Sequence, residues 1–197
     1  MGEKPVYTAE DCAQTGPDSF LSGRVIVVKP ETLPAVQRGV GQLLFCENGA
    51  DGVPDPESWT VSAVSLADGE YIQKKRGEVL GLLKPELLPE RARLQLSQIR
   101  SPDTEAPQTP EFTGYCFLPD GRYAAGVPLA DEMEVREYID IQRAYQHRLM
   151  ICDSEDCCVY EAVEGKVIFP TPEMRERFLR EDLGPEEPDT GGMKLQP

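Results

Sequence analysis

The chain of 197 residues is 40% hydrophobic, so it can bury one medium-sized core or two small ones. Its 35 acidic and 20 basic residues give a formal net charge of −15 at pH 7. This charge disfavours direct binding to the phosphates of a nucleic acid and attracts basic protein surfaces. We therefore expect a globular protein whose partner is a protein with a basic surface, and no direct nucleic-acid ligand.

The N-terminal stretch MGEKPVYTAEDCAQ lacks the apolar segment of a signal peptide, and the sequence contains no apolar run of about 18 residues. We therefore expect a cytoplasmic protein that does not contact a membrane. In that compartment irregularly spaced cysteines are expected to be free thiols rather than a disulfide framework. The six cysteines are Cys12, Cys46, Cys116, Cys152, Cys157 and Cys158.

In the N-terminal half, RVIVVKP and GVGQLLFCENGADG predict two strands, because each apolar run ends at a Pro or at a Gly/Asn/Asp cluster. The stretch WTVSAVSLADGEYIQKK predicts a hairpin that turns at Ala67, Asp68 and Gly69. A further short strand is expected in GEVLGLLKP. The stretch LLPERARLQLSQIR predicts a helix with Pro89 in its first turn.

The next stretch, SPDTEAPQTPEF, has three prolines and no apolar periodicity, which is typical of a linker. We place this linker at residues 101–111. It divides the chain into an N-terminal module at residues 1–100 and a C-terminal module at residues 112–184. Residues 185–197 carry too little apolar surface to fold and are predicted to be a disordered tail.

In the C-terminal module, FTGYCFLPDGRYAAGVPL predicts two strands around a turn at residues 119–121, and DEMEVREYIDIQRAYQHRL predicts a helix at residues 131–147 with Asp131 as its cap. Three short strands follow, in RLMICD, CCVYEAV and KVIF. The stretch TPEMRERFLREDLG predicts a final helix capped by Thr171. Hairpin signals outnumber β-α-β patterns, so we predict an α+β fold of two small antiparallel modules with covering helices.

The only histidine, His147, lies close in sequence to Cys152, Cys157 and Cys158. Zinc sites usually use two chelating pairs, and adjacent cysteines in one strand point to opposite faces. The pattern therefore favours two paired strands around an acidic turn, with the cysteines as small buried residues, and we predict no metal and no cofactor. The alternative is a small cysteine-dependent enzyme or metal-binding protein that uses His147 with Cys152 or Cys157.

Carboxylates are concentrated in the predicted helix and in the turn after it. Such a charge run can be only a solvated face. It can also copy the charge of a nucleic acid and occupy a basic groove of another protein, which is our hypothesis. The hypothesis predicts a non-enzymatic interaction protein with a partner-binding surface made of Asp131, Glu132, Glu134, Glu137, Asp140, Asp153, Glu155 and Asp156.

Four stretches together resemble uncharacterised small acidic proteins of mobile and conjugative elements in gut Firmicutes: RVIVVKPETL, GQLLFCENGADG, DGEYIQKKRGEVLGLLKPELLPERARLQL and GYCFLPDGRYAAGVPLADEMEVREYIDIQRAYQHRLMICD. The resemblance concerns the order of strands, turns and helices over much of residues 20–160. It implies an interaction protein of a mobile element or its host. In its sharpest form this would be an inhibitor of a host nucleic-acid-handling or defence system, of the antirestriction or anti-CRISPR type. The resemblance implies no catalytic residue.

Overall fold

The computed structural model describes residues 4–16, 19–53, 56–100, 107 and 109–171. These residues form two antiparallel sheets and two α-helices, which confirms the predicted α+β class. Each predicted module contributes one sheet. The first sheet has the strand order β1-β6-β2-β3-β4-β5 and the second has the order β11-β10-β9-β7-β8.

The first sheet consists of β1 (Cys12–Thr15), β2 (Arg24–Val28), β3 (Leu43–Asn48), β4 (Thr60–Ser65), β5 (Tyr71–Lys75) and β6 (Val79–Leu83). The second consists of β7 (Phe112–Phe117), β8 (Val127–Leu129), β9 (Arg148–Asp153), β10 (Cys158–Val163) and β11 (Lys166–Phe169). The helices are α1 (Glu90–Ser97) and α2 (Glu132–Gln142). Short 3-10 helices lie at Ala9–Asp11, Pro30–Thr32, Ala35–Gln37, Gly39–Gln42, Pro56–Ser58, Arg76–Glu78 and Pro85–Leu87. Neither described α-helix is long and apolar enough to cross a membrane.

The predicted strands and hairpins within the described residues are present, and β1 is an additional strand. Its sequence, CAQT, has no apolar run that would indicate a strand. It forms by pairing with β6 at the edge of the first sheet, with an irregularity between Cys12 and Gln14. Most of the predicted linker lies outside the described residues, as do the tail and all of the predicted final helix except Thr171.

Helix α2 ends at Gln142, five residues before the predicted end at 147. The backbone amides of Tyr145 and Gln146 both donate to the carbonyl oxygen of Gln142, which closes a turn. This turn directs the Tyr145 ring into the core of the first sheet, where its hydroxyl accepts a hydrogen bond from the Val25 amide at 2.9 Å. Burial of Tyr145 therefore favours the turn over continued helix.

The two helices carry the contacts between the sheets. Helix α1 packs Ala92 and Leu96 against the first sheet, in a cluster that also contains Ile141 and Tyr145 from the second half of the chain. The Tyr138 hydroxyl donates to the carbonyl oxygen of Ser97 at 2.8 Å. Two further backbone carbonyls of this helix region, those of Leu96 and Arg93, accept from the side-chain amides of Gln142 and Gln146. The two sheets thus share a buried layer.

On the opposite face of the first sheet, a buried ion pair joins Arg76, next to β5, to Asp51, with Nη1 and Oδ1 2.9 Å apart. Arg76 also donates to the carbonyl oxygens of Gly49 and Ser19. Asp51 accepts from the backbone amides of Leu21 and Ser22 at 2.8 and 2.9 Å. The pair therefore fastens two loops to the sheet.

Candidate functional site

The predicted acidic surface begins where α2 begins. Asp131 is the N-cap residue, and its side chain accepts hydrogen bonds from the backbone amides of Met133 and Glu134 at 2.9 and 3.0 Å. Acidic side chains at this position are stabilised by the positive end of the helix dipole. Asp131 and Glu132 are both exposed, so their carboxylates are available to a partner.

Glu134 does not belong to this surface, and the prediction that its carboxylate faces a partner is wrong. It is only 7% exposed, and its Oε2 lies 2.6 Å from the Arg100 guanidinium. The same oxygen accepts from the Ala130 backbone amide at 2.7 Å. The helical spacing places Glu134 on the same face as Tyr138 and Ile141, which are both buried. Glu134 therefore holds α2 against the chain that follows α1.

The second cluster of carboxylates lies in the turn between β9 and β10. The Asp153 side chain accepts from the backbone amides of Glu155 and Cys157 at 3.0 and 2.9 Å, so it organises the turn. Asp156 has a positive φ of 64°, which a three-residue hairpin loop requires at this point. Glu155 and Asp156 project from the turn as exposed side chains.

The register of the second sheet brings the two clusters together. Phe112, at the start of β7, pairs with Leu129 of β8 on one side and with Asp153 of β9 on the other. Because adjacent strands lie about 4.8 Å apart, the end of β8 and the turn after β9 are separated by about 10 Å. Helix α2 starts just after β8, so its first acidic residues and the turn lie at the same end of the sheet.

Glu111 lies at this end as well, although the sequence assigned it to the linker. Its backbone amide donates to the Leu129 carbonyl oxygen at 3.1 Å, and its side chain is exposed. We call this group of carboxylates the acidic end. It comprises Glu111, Asp131, Glu132, Asp153, Glu155 and Asp156. Among the residues that the structure describes, none of the six forms an ion pair with a basic side chain.

Two other predicted surface residues lie away from the acidic end. Glu137 is exposed on a later turn of α2. Asp140 follows Glu132 by eight residues, which corresponds to about 12 Å along the helix axis. It lines a cavity of about 580 Å³ together with Arg24 and Arg143, so its surroundings contain basic groups. The predicted surface of eight residues is thus divided, and five of them belong to the acidic end.

The alternative site, His147 with Cys152 or Cys157, does not form. His147 precedes β9, and its Nδ1 lies 2.8 Å from Oε1 of Glu164. Cys152 lies five residues further along, which is about 16 Å in an extended strand, and Cys157 lies beyond the turn. His147 and these cysteines therefore occupy opposite ends of β9. Within the described part of the chain, no three His, Cys, Asp or Glu side chains are arranged to hold a metal ion.

The cysteines differ in their surroundings. Cys12, Cys46, Cys116 and Cys152 are buried, Cys158 is half-buried and Cys157 is exposed. Burial raises the pKa of the Cys12 thiol to about 11 and that of the Cys46 and Cys116 thiols to about 12. These three thiols stay protonated at neutral pH and pack as small apolar side chains. The sequence predicted this role for Cys152, Cys157 and Cys158. Cys152 is buried, but the prediction is wrong for Cys157, which is exposed at the end of the β9–β10 turn, and Cys158 is only half-buried.

Comparison of the chain with protein-family models, with curated proteins and with solved structures found no match.

Proposed function

We propose that the protein is a non-enzymatic interaction protein that binds a basic surface of a partner protein through its acidic end. The observation that supports this is the convergence of carboxylates from three separate parts of the chain: Glu111 before β7, the start of α2, and the β9–β10 turn. Each part is fixed by backbone hydrogen bonds, so a partner would meet a preformed arrangement of charge.

The charge of this surface suggests the chemistry of the partner. Within the described part of the chain these carboxylates form no ion pair with a basic side chain, and their field extends over a Debye length of about 8 Å at physiological ionic strength. A complementary basic groove would gain association rate and orientation from this field. In the sharper form of the proposal, that groove normally holds nucleic acid, and the protein acts as an inhibitor of a host nucleic-acid-handling or defence system.

The test compares two variants of equal net charge. In the first, Glu132, Glu155 and Asp156 at the acidic end are changed to Lys. In the matched control, the exposed residues Glu31, Glu70 and Glu86 of the N-terminal half are changed to Lys. Wild type and both variants are immobilised and incubated with host-cell extract. A partner retained by the wild type is then purified, and its affinity for all three proteins is measured at low and high salt.

We expect the partner to bind the wild type and the control variant, and to lose roughly tenfold or more in affinity for the acidic-end variant. Binding to the wild type should weaken as salt rises, and a short DNA duplex should compete with it. Equal loss of affinity in both variants would show that net charge alone matters and would contradict a site at the acidic end. Circular dichroism of each variant serves as the folding control.

A further inference from the structure

Cys152 and Cys158 lie directly opposite each other on β9 and β10. The neighbouring pair, Asp153 and Cys157, is joined by a backbone hydrogen bond from the Asp153 amide to the Cys157 carbonyl oxygen at 2.9 Å. Hydrogen-bonded and non-hydrogen-bonded pairs alternate along antiparallel strands, so Cys152 and Cys158 form a non-hydrogen-bonded pair. The two side chains of such a pair lie on the same face of the sheet.

The spacing of this pair suits a covalent bond between the two sulfur atoms. Cα atoms of a non-hydrogen-bonded pair are about 4.5 Å apart, and disulfides form at Cα separations of about 4.4–6.8 Å. In the reduced protein the Cys158 thiol donates to the Tyr160 carbonyl oxygen at 3.4 Å. Rotation of the Cys158 side chain about its Cα–Cβ bond would therefore direct its sulfur toward Cys152, with no change in strand pairing.

The other cysteines are not placed to compete for this bond. Cys157 is adjacent to Cys158 and therefore points to the opposite face of the hairpin. Cys116 lies on the covered face of the second sheet, where its sulfur is 3.2 Å from the Tyr138 hydroxyl oxygen. Cys12 and Cys46 are buried in the first sheet.

We propose that Cys152 and Cys158 are a site of reversible oxidation, at which a small disulfide such as glutathione disulfide converts the two thiols into a cross-strand disulfide. The thiolate of the more accessible Cys158 attacks one sulfur of glutathione disulfide, which breaks the S–S bond and releases one glutathione. The thiolate of Cys152 then attacks the Cys158 sulfur of the mixed disulfide and releases the second glutathione. Two electrons pass from the cysteine pair to the reagent, and the two cysteine protons end on the two glutathione thiols.

The surroundings of the pair affect the rate and the reversibility of this exchange. Burial raises the pKa of the Cys152 thiol, and the negative charges of the neighbouring Asp156 and Asp153 raise it further. Burial and the Glu161 carboxylate likewise raise the pKa of the Cys158 thiol. Because the thiolate is the attacking species, exchange should be slow at neutral pH and faster as pH rises toward these pKa values. Thiols with a raised pKa are also poor leaving groups, so reduction of the disulfide back to the two thiols should be slow as well.

The disulfide would close the hairpin whose turn carries Glu155 and Asp156, and so would restrict the motion of part of the acidic end. Closing a short loop of this kind should raise the thermal unfolding midpoint by roughly 4–8 °C. The modification does not rest on the proposed binding function, because its chemistry depends only on the two cysteines and a disulfide reagent.

The test uses the full chain, reduced and then incubated with defined mixtures of glutathione and glutathione disulfide. After the free thiols are blocked by alkylation, a protease that cleaves after glutamate separates Cys152 from Cys158 at Glu155. Mass spectrometry should then detect the two peptides joined by a disulfide, with loss of two hydrogen atoms. Cys157→Ser is the matched control and should retain the linkage, whereas Cys158→Ser should lose it.

The proposal is overturned if the wild type forms no linkage between these peptides, or if the linkage disappears in Cys157→Ser and persists in Cys158→Ser. Glutathione attached only to Cys157 would also overturn it. Circular dichroism checks that each variant folds. If Cys158→Ser does not fold, the comparison of wild type with Cys157→Ser decides the question, because only a Cys152–Cys158 bond survives loss of Cys157.

Discussion

The central strands of the first sheet are buried on both faces, whereas the second sheet has one buried face and one that is only partly buried. In β2, the four successive residues Val25, Ile26, Val27 and Val28 are each 0% exposed. Successive residues of a strand point to opposite faces, so both faces of β2 are covered. One face packs against α1 and Tyr145, and the other is covered by loops that carry Leu21 and Leu33.

In the second sheet the two faces differ in character. The covered face packs Cys116, Leu149 and Ile151 against Tyr138 of α2. The outer face carries Thr113, Tyr115 and Phe117, which pair across the strands with Cys152, Met150 and Arg148. Tyr123 adds to this face and is 54% exposed, with its ring centroid 5.8 Å from that of Tyr115 and 5.1 Å from that of Phe117.

This difference indicates that the first sheet mainly supplies stability and that the second sheet carries the exposed groups. In the first sheet, polar groups such as Asp51 and Arg76 are committed to internal contacts, and a change there leaves a buried group without its partner. In the second sheet, the outer face and the turn at the acidic end are open to solvent and to reagents. We therefore expect substitutions in the first sheet to cost stability, and substitutions at the open parts of the second to change binding or redox chemistry instead.

The largest effect is expected from Asp51→Asn. This change keeps the shape of the side chain but leaves Arg76 as a buried charge without its carboxylate, which typically costs about 3–5 kcal/mol. Asp120→Asn is the matched control, since its ion pair with Arg122 is exposed, and it should have a much smaller effect. Urea denaturation measures the free energy of unfolding of both variants. Equal losses of free energy in the two variants would contradict the conclusion that the buried pair stabilises the protein more than the exposed one.

The same pair predicts a dependence on pH. Burial alone would raise the pKa of Asp51, but hydrogen bonds from Ser22, Leu21 and Arg76 outweigh it and hold the pKa below its ordinary value. A lowered carboxyl pKa contributes stability above the unfolded-state pKa, near 4, and this stability is lost as pH falls through the folded-state pKa. The difference in free energy of unfolding between wild type and Asp51→Asn should therefore become smaller below about pH 4. Urea denaturation of both proteins at pH 7 and at pH 3 would measure this change.

Parts of this division could be predicted from the sequence. The strands and hairpins were predictable because the residues that form their turns, Asp68-Gly69 and residues 119–121, are recognisable from the local sequence alone. The burial of Glu134 could have been predicted from helical spacing, although its charge suggests exposure. Glu134 precedes Tyr138 by four residues and Ile141 by seven, so the three side chains lie on one face of the helix. Its partner Arg100, 34 residues away, had no such signal.

The acidic end itself depends on long-range pairing. The turn at residues 119–121 predicts that β7 pairs with β8, but no local pattern indicates that β7 also pairs with β9. The two pairings together bring Glu111, the start of α2 and the β9–β10 turn to the same end of the sheet. The separation of His147 from Cys152 follows from a strand between them, which the sequence did predict. That strand places His147 and Cys152 about 16 Å apart, which is too far for a shared site.

A smaller effect should distinguish the two faces of the second sheet through two glycines. In Gly114→Ala the added Cβ would lie 2.5 Å from Cε1 of Tyr138, on the covered face. The Tyr138 ring cannot easily move, because its hydroxyl is bonded to the Ser97 carbonyl oxygen at 2.8 Å. Overpacking of this kind costs about 1–3 kcal/mol.

Gly126→Ala is the control on the outer face. Its added Cβ would lie 2.7 Å from Cε1 of Tyr115 and 2.8 Å from Cγ2 of Thr113. Both side chains are half-buried on the outer face, where they can shift toward solvent. Urea denaturation should therefore show a clear loss of stability for Gly114→Ala and a much smaller one for Gly126→Ala. If the two variants lose the same free energy of unfolding, the outer face is as tightly constrained as the covered one, and the comparison between faces fails.

The smallest expected effect is a gain of stability from Glu164→Asn in the turn between β10 and β11. Val163 pairs with Lys166, so the turn has two central residues, Glu164 and Gly165, with φ angles of 50° and 73°. Positive φ at both positions is the geometry of a type I′ turn, which favours Asn-Gly over Glu-Gly. Relief of the left-handed conformation at Glu164 should stabilise the protein by about 0.5–1 kcal/mol.

Against this gain stands the loss of the contact between Glu164 and His147, whose side chains are 70% and 33% exposed. Contacts between side chains this exposed contribute little, typically a few tenths of a kcal/mol, so the net change in Glu164→Asn should be a small increase in unfolding free energy. His147→Gln removes the same contact without altering the turn, and the double variant separates the two contributions. If Glu164→Asn is less stable than the wild type by more than His147→Gln is, then Glu164 is held in the left-handed region by contacts beyond His147, and the turn is more than a connection between two strands.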